Sequence, residues 1–282
     1  MLKRIITAVV MLCVFIPVVI FSHTLVFPIA VAICTCIAAF EMLRCMGLHK
    51  NLMLCVPLYA AALVFPMLVR LVGDAGVVAA IAFVVAVAYL VILFAMIVWS
   101  HGKLKFADGS SAFAIVLYII AAFCGIIYVR DIPGGEYIYL LIFVGAWITD
   151  VFAYFTGMLL GKHKLIPDVS PKKTIEGSIG GIVFCTLSFV GYGLAIDAMF
   201  DMHISIIFLL VSGIIVSIVS QVGDLIMSVI KRHYEVKDYG RIFPGHGGMV
   251  DRFDSVLIVS ICMLAICIAA KLMGFEFVAT LS

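Results

Sequence analysis

Residues 220–255 read SQVGDLIMSVIKRHYEVKDYGRIFPGHGGMVDRFDS, and this stretch decides how the rest of the chain is interpreted. It concentrates charge in a chain that is 66% hydrophobic and only 12% charged. Its first part continues an apolar helix in which Ser220, Asp224, Ser228 and Lys231 recur three or four residues apart, so their side chains share one helix face. The stretch therefore predicts a polar helix face that leads into a charged loop.

The middle of the stretch is basic and rich in glycine. Lys237 and Arg241 precede the run Pro-Gly-His-Gly-Gly at residues 244–248. Glycines allow backbone N–H groups to approach an anion closely. Asp251 and Asp254 then open the next apolar run. Carboxylates beside a basic loop indicate a divalent cation that binds phosphate oxygens, the apparatus of phosphoryl or nucleotidyl transfer.

The composition defines the class of protein. A chain of 282 residues with a mean hydropathy of +1.30 is not a soluble domain, in which about 25% of residues are charged. We predict an all-α polytopic integral membrane protein, because apolar segments of about 17 residues cross a bilayer and backbone in lipid must be helical. Nine such segments cover approximately residues 5–21, 25–43, 53–71, 75–98, 113–129, 137–160, 179–200, 204–230 and 255–273.

The lysines and arginines indicate the orientation. If the N-terminus is cytoplasmic, fifteen of the 18 basic residues fall on the cytoplasmic side, and only Arg70, Arg130 and Lys271 fall on the other. This bias predicts a cytoplasmic N-terminus and an outside C-terminus. We divide the chain into an N-terminal region, 1–111, with about four spans, and a catalytic region, 112–282, with about five. The loops 161–178 and 231–254 are predicted to be cytoplasmic.

A second polar region precedes the seventh span. Asp150 lies within an apolar segment, which costs roughly 2.5 to 3.5 kcal/mol on insertion scales, so we expect it to face protein or a wet cavity. It is either a hydrogen-bonding anchor between helices or part of the active site. The loop that follows holds Ser170, Lys172, Lys173 and Thr174. These residues suit a polyphosphate, but they also suit positive-inside anchoring and the cap of the next helix.

Simpler interpretations compete for other residues as well. Asp224 is expected about 9 Å from the end of its helix, where a packing role is the alternative to a metal site. Asp251 and Asp254 suit the first turn of the last span. His246, between glycines, is either structural or a chemical participant. The nine cysteines are scattered without a C-x-x-C pair and are interpreted as apolar fillers.

The charged stretch also carries a resemblance. It contains Ser228-x-Ile-Lys-Arg, then Lys237-Asp-x-Gly and Ile242, then His246-Gly-Gly-Met-x-Asp-Arg-Phe-Asp, unbroken through Asp254. This run resembles the signature of the phosphatidate cytidylyltransferase (CDP-diacylglycerol synthase) family. The SPKKTIEG segment at residues 170–177, the region of Asp150, the length and the multi-span layout are also similar to that family.

The resemblance implies a reaction in which CTP and phosphatidic acid give CDP-diacylglycerol and pyrophosphate, with one or two Mg²⁺ ions as cofactor. It implies a multi-pass protein of a bacterial-type cell (inner) membrane, with its active site on the cytoplasmic side and no role for nucleic acid; it also allows a homodimer. The implied catalytic residues are Asp224, Asp251, Lys231, Lys237 and His246. The implied substrate-binding residues are Ser228, Arg232, Asp238, Arg241, Gly247, Gly248, Arg252, Ser170, Lys172, Lys173 and Thr174. The implied metal ligands are Asp224 and Asp251, with Asp254 and Asp150 as weaker candidates.

Other functions remain open from the sequence. A CTP-dependent kinase of a lipid alcohol such as a polyprenol would use a similar polar end but would release CDP. A phosphatidyltransferase that consumes CDP-diacylglycerol is less favoured, because its D-x-x-D-G-x-x-A-R run is absent. A membrane transporter would also explain buried Asp150 and Asp224, although the polar residues crowd one membrane face. We expect Asp224 and Asp251 to share one pocket beneath the inner surface.

Overall fold

The computed structural model describes residues 2–280 except Asp168 and Glu276, and describes side chains within residues 6–278. The chain forms two compact units. Unit 1 comprises Met1–Ile127 and Tyr234–Arg252, and unit 2 comprises Tyr128–His233 and Phe253–Ser282. Each unit thus combines two separate parts of the chain.

Unit 1 is built on the N-terminal helices. These are α1 (Leu2–Ile20), α2 (Val26–Cys45), α3 (Leu52–Val72), α4 (Ala75–Trp99) and most of α5 (Phe106–Asp131). Side-chain caps begin two of them, because Asn51 accepts a hydrogen bond from Leu54 N and Asp74 accepts one from Val77 N. Helices α2 and α3 pack against each other, and Met42 of α2 is completely buried.

Unit 2 is a helical core. Its helices are α6 (Gly135–Ile138), α7 (Leu140–Leu160), α8 (Ile175–Phe200), α9 (Ile206–His233) and, from Phe253 onward, α10 (Val250–Leu272). The most extensive packing joins α7, α8 and α9. Small residues permit it: a Cβ atom at Gly180 would overlap Thr156, and one at Gly145 would overlap Val216.

Two short antiparallel ribbons, which the sequence interpretation missed, accompany the helices of unit 2. In the first, β1 (Lys164–Ile166) pairs with β2 (Ser170–Thr174). In the second, β3 (Met202–Ile204) pairs with β4 (Val278–Thr280). The first ribbon gives the predicted 161–178 loop a defined hairpin, so the lysines of β2 are held on a structured segment.

The predicted class, an all-α polytopic membrane protein, is confirmed by the long apolar helices. Among the described residues, eight segments are long and apolar enough to cross a membrane. They are α2, α3, α4, α5, α6 continued by α7, α8, α9 and α10. The described apolar part of α1, Ile6–Ile20, is shorter. Apolar side chains cover the outer surface of α4, where Phe83 is 70% exposed, as expected for a helix that contacts lipid. The chain is a multi-pass membrane protein.

Several helices extend beyond their predicted ends. Helix α9 continues to His233, because Lys231, Arg232 and His233 interact favourably with the negative end of the helix dipole. Asp224 therefore lies nine residues, about 13 Å, from the helix end rather than the expected 9 Å. Helix α10 begins at Val250 and includes Asp251 in its first turn, as one of the two interpretations of that residue expects.

Candidate active site

Three carboxyl groups of unit 2 lie within electrostatic range of Asp150 or belong to it, and we call them the acidic cluster. Asp150 comes from α7, Asp224 from α9 and Asp254 from α10. The charges of Asp224 and Asp254 both act on the Asp150 carboxyl group. The hydroxyl of Ser255 donates to Oδ2 of Asp150 at 3.3 Å. Asp150 therefore faces polar protein groups, as expected for a carboxylate within an apolar segment.

Lys173 supplies a positive charge to the acidic cluster. Its ammonium nitrogen lies 2.7 Å from Oδ2 of Asp224 and donates to the Gln221 carbonyl oxygen at 3.3 Å. Both side chains of the ion pair are partly exposed, Lys173 at 23% and Asp224 at 29%. Lys173 and Asp224, predicted separately as site residues, thus meet in this ion pair between the hairpin and α9.

The base of the hairpin is fixed by polar contacts. Thr174 is the N-cap of α8 and accepts a hydrogen bond from Gly177 N, which confirms the capping interpretation. The Glu176 carboxylate accepts the backbone N–H groups of Lys162 and His163 and lies 2.6 Å from His163 Nδ1. These contacts close the segment between α7 and α8, so β2 presents Lys173 to α9 from a defined base.

The polar face of α9 extends away from the acidic cluster. Gln221 donates through Nε2 to the Ser178 carbonyl oxygen at 3.3 Å, and Ser217 accepts a hydrogen bond from Thr149 at 3.0 Å. Ser220 is fully buried, and its hydroxyl has no hydrogen-bond partner among the described residues. Gln221 and Ser217, which lie outside the predicted stripe of Ser220, Asp224, Ser228 and Lys231, thus make contacts between helices.

Residues 237–252 of unit 1 enclose a second polar site, which we call the loop cavity. Its volume is about 690 Å³, within the range usual for small-molecule sites. Four of its lining side chains are basic or can become so: Lys237, Arg241, Arg252 and His246. Asp238 also lines it. A cavity of this size with an excess of positive charge suits a polyphosphate.

A tight turn forms one wall of the loop cavity. Phe243 N donates to the Gly247 carbonyl oxygen at 2.9 Å, and His246 N donates to the Phe243 carbonyl oxygen at 2.8 Å. Gly247 has φ of +85°, and a Cβ atom there would lie 2.8 Å from Oδ2 of Asp251. Glycine is therefore required at position 247 by both backbone conformation and space.

Asp251 organises the end of the loop. It is 8% exposed, and its Oδ2 accepts hydrogen bonds from Tyr239 N at 2.8 Å and from Gly248 N at 2.9 Å. The Gly248 N–H therefore points to Asp251. Asp224 belongs to unit 2 and Asp251 to unit 1, so the pocket that we expect them to share stays a prediction.

The predicted site residues fall into two groups. Asp251 and the residues that line the loop cavity belong to unit 1, as does Gly248. Unit 2 brings Lys173 to the acidic cluster, and the other predicted residues of unit 2 lie on the hairpin and in the second half of α9. These residues are Ser170, Lys172, Thr174, Ser228, Lys231 and Arg232.

Sequence reasoning missed Glu41, Glu176 and His163. Glu41 is 1% exposed on α2, and its Oε2 accepts a hydrogen bond from Val250 N at 3.0 Å. One signal was available, because an acidic residue within an apolar span is costly and usually has a partner. No signal in the sequence joined Glu176 to the turn that ends α7, because that contact depends on the hairpin.

The acidic cluster fits Mg²⁺ by its chemistry. Asp150, Asp224 and Asp254 supply carboxyl groups to it, and Lys173 pairs with one of them, Asp224. Among the described side chains, no preformed group of three metal-binding residues is found. Mg²⁺ is commonly held by one or two carboxylates, with substrate phosphates and water as the other ligands, so one or two members of the acidic cluster would be enough to hold it.

An acidic cluster and a basic loop cavity in a multi-pass membrane protein are the kinds of site that enzymes transferring phosphorus-containing groups use. Comparison with known proteins gives the family. The model of the cytidylyltransferase family matches residues 2–270, and the chain belongs to that family. It is a nucleotidyltransferase.

Bacterial relatives match nearly the whole chain. Proteins named phosphatidate cytidylyltransferase from Staphylococcus epidermidis and Staphylococcus aureus are 36% and 37% identical to it over 256 residues. The protein of that name from Staphylococcus haemolyticus is 38% identical over 258 residues. Each alignment covers 91% of this chain and 95% of the relative.

Proposed function

We propose that this member of the family transfers CMP from CTP to phosphatidic acid, which gives CDP-diacylglycerol and pyrophosphate. The observation that carries the proposal is the match over 91% of the chain to relatives named phosphatidate cytidylyltransferase. The acidic cluster and the loop cavity add independent chemical support, because both substrates are anions that repel each other.

We assign the metal to the acidic cluster. Asp224 is the first candidate ligand, with Asp150 and Asp254 beside it; Asp251 stays a predicted ligand from the other unit. Bound Mg²⁺ would supply charge stabilisation at the phosphate oxygens. Lys173 holds the Asp224 carboxylate in a fixed orientation through the 2.7 Å ion pair. This contact keeps one carboxylate oxygen of the cluster from rotating freely.

The remaining roles belong to the basic side chains. Lys237, Arg241 and Arg252 of the loop cavity bind the triphosphate and reduce its repulsion of the lipid phosphate. An oxygen of the phosphatidate phosphate attacks the α-phosphorus of CTP, the bond from the α-phosphorus to the bridging oxygen breaks, and pyrophosphate leaves with that electron pair. The attacking phosphate is already an anion, so the reaction requires no strong general base, and the catalytic role of His246 stays a prediction.

We also propose that the active site faces the cytoplasm of a bacterial cell, at its inner membrane, where CTP is available. The bias of basic residues supports this orientation, with Arg70, Arg130 and Lys271 as the exceptions. Attaching a reporter that is active on only one side of the membrane to each terminus of the chain tests it. The N-terminal fusion should report the cytoplasm; the opposite result would reject the proposed orientation.

Turnover by the purified protein tests the proposed activity. In detergent micelles with phosphatidic acid, CTP and Mg²⁺, the protein should form a lipid-soluble cytidine product. Replacing CTP by ATP, or phosphatidic acid by diacylglycerol, should abolish the product. A protein that is folded by thermal unfolding but forms no cytidine lipid under these conditions would refute the proposed activity.

A further inference from the structure

Glu41 is a buried carboxylate that the proposed chemistry does not use. It lies on α2, is 1% exposed, and accepts a hydrogen bond from Val250 N at 3.0 Å. Its second carboxylate oxygen, Oε1, is buried and has no hydrogen-bond partner among the described residues. Burial of a carboxyl group in an apolar helix is costly, so a role that requires this group is expected.

The surroundings of Glu41 are the two ends of the loop that encloses the loop cavity. A Cβ atom added at Gly240, near the start of the loop, would overlap the Glu41 carboxylate. A Cβ atom at Gly248, near its end, would overlap the same group. The glycines at these two positions therefore allow the loop backbone to approach Glu41 closely, which any larger residue would prevent.

The contacts of Glu41 reach the loop from outside its cavity. The cavity-lining residues run from Lys237 to Arg252, and Glu41 is not among them. Glu41 instead contacts the backbone at Gly240, Gly248 and Val250, on both sides of the turn that carries His246. A single side chain that contacts both ends of a loop restricts how far those ends separate.

We propose that Glu41 is a positioning residue: it fixes residues 240–250 from α2 and so sets the arrangement of the basic side chains that bind the CTP triphosphate. The inference rests on the proposed function, because it concerns the same loop cavity. It predicts that Glu41 acts on CTP binding and leaves phosphatidate binding unchanged.

The test compares Glu41→Ala with Glu41→Gln. The alanine variant loses the acceptor for Val250 N–H, whereas glutamine retains an amide oxygen that accepts the same bond. We expect Glu41→Ala to raise the KM for CTP about tenfold or more, the effect of losing a charge-assisted hydrogen bond, with kcat changed much less. Glu41→Gln should restore the KM to within about threefold of the parent value.

Hydrogen exchange gives a readout that does not depend on activity. The amides of residues 240–250 should exchange faster in Glu41→Ala than in the parent or in Glu41→Gln. Thr35→Val is the matched control, because Thr35 is fully buried on the same helix and its hydroxyl donates to the Val31 carbonyl oxygen within that helix. It should leave both the exchange of this loop and the KM for CTP unchanged.

Each outcome decides for or against the proposal. An unchanged KM for CTP in folded Glu41→Ala, with only a lower melting temperature, would show a purely structural role. If Glu41→Ala does not fold, Gly240→Ala, which places a methyl group against the carboxylate, should raise the KM for CTP; no increase would reject the proposal. If the parent protein makes no cytidine lipid, the proposed function fails. Separately, equal hydrogen-exchange rates of the amides of residues 240–250 in the parent and in Glu41→Ala would reject the role of Glu41.

Discussion

The ammonium nitrogen of Lys173 lies 2.7 Å from Oδ2 of Asp224, and this ion pair connects the β1–β2 hairpin to the polar face of α9. The two residues were predicted separately, Lys173 as a substrate-binding residue and Asp224 as a metal ligand. Their pairing means that a metal ion held by Asp224 would share this carboxylate with the lysine. Lys173 therefore affects both the geometry and the charge of the acidic cluster.

Replacement of Lys173 by methionine should lower kcat/KM by about a hundredfold, because a preorganised charge is lost where phosphate groups react. The free energy of unfolding should also fall. Loss of an exposed ion pair costs ~1 kcal/mol and loss of one partner of a fully buried pair ~3–5 kcal/mol, and this partly exposed pair should lie between these values. Steady-state kinetics and thermal unfolding measure the two effects. Lys164→Met, on the exposed part of the same hairpin, is the control and should change neither. Parental kinetics in Lys173→Met would contradict this role.

Removal of carboxylates from the acidic cluster should change the dependence on Mg²⁺. Asp224→Asn should abolish turnover, whereas Asp150→Asn and Asp254→Asn should raise the Mg²⁺ concentration needed for half-maximal rate by about tenfold, the effect of losing one charged ligand. Titration of activity with Mg²⁺ measures this shift. Asp197→Asn, an acid outside the cluster, serves as the control. An unchanged Mg²⁺ dependence in all three cluster variants would place the metal elsewhere.

Neutralisation of the loop cavity should weaken CTP binding selectively. Arg241→Gln should raise the KM for CTP about tenfold, because one charge-assisted contact with phosphate is lost, and should leave the KM for phosphatidic acid unchanged. Kinetics with each substrate varied in turn distinguishes the two. Lys105→Gln removes an exposed charge elsewhere in unit 1 and should alter neither constant. Equal increases in both constants would argue against a triphosphate site in this cavity.

The close packing of α7 and α8 gives a prediction about stability. Gly180→Ala places a methyl group where Thr156 already lies, so it should destabilise the protein by about 1–3 kcal/mol, as overpacking does. Gly191→Ala on the same helix meets no atom within 4 Å and is the matched control. Thermal unfolding in detergent measures both. A Gly180→Ala variant that is as stable as Gly191→Ala would show that this contact relaxes without cost.

The membrane helices were predictable because long apolar runs have few alternatives to helix in lipid. The predicted start of α5 was seven residues too late, because the first turns of this helix are polar. The two ribbons were not predictable, because strands of three to five residues depend on tertiary pairing, as β3 does on its pairing with β4. Glu41 was missed for a similar reason, because its partner Val250 lies 209 residues away.

The fate of the phosphorus atoms of CTP tests CMP transfer most directly. Parallel reactions with phosphatidic acid and Mg²⁺ should use CTP labelled at either the α- or the γ-phosphorus. We predict that the α-label enters the lipid phase together with the cytidine, and that the γ-label appears in pyrophosphate. Entry of the γ-label into a lipid, with release of CDP, would contradict CMP transfer and identify a lipid kinase instead.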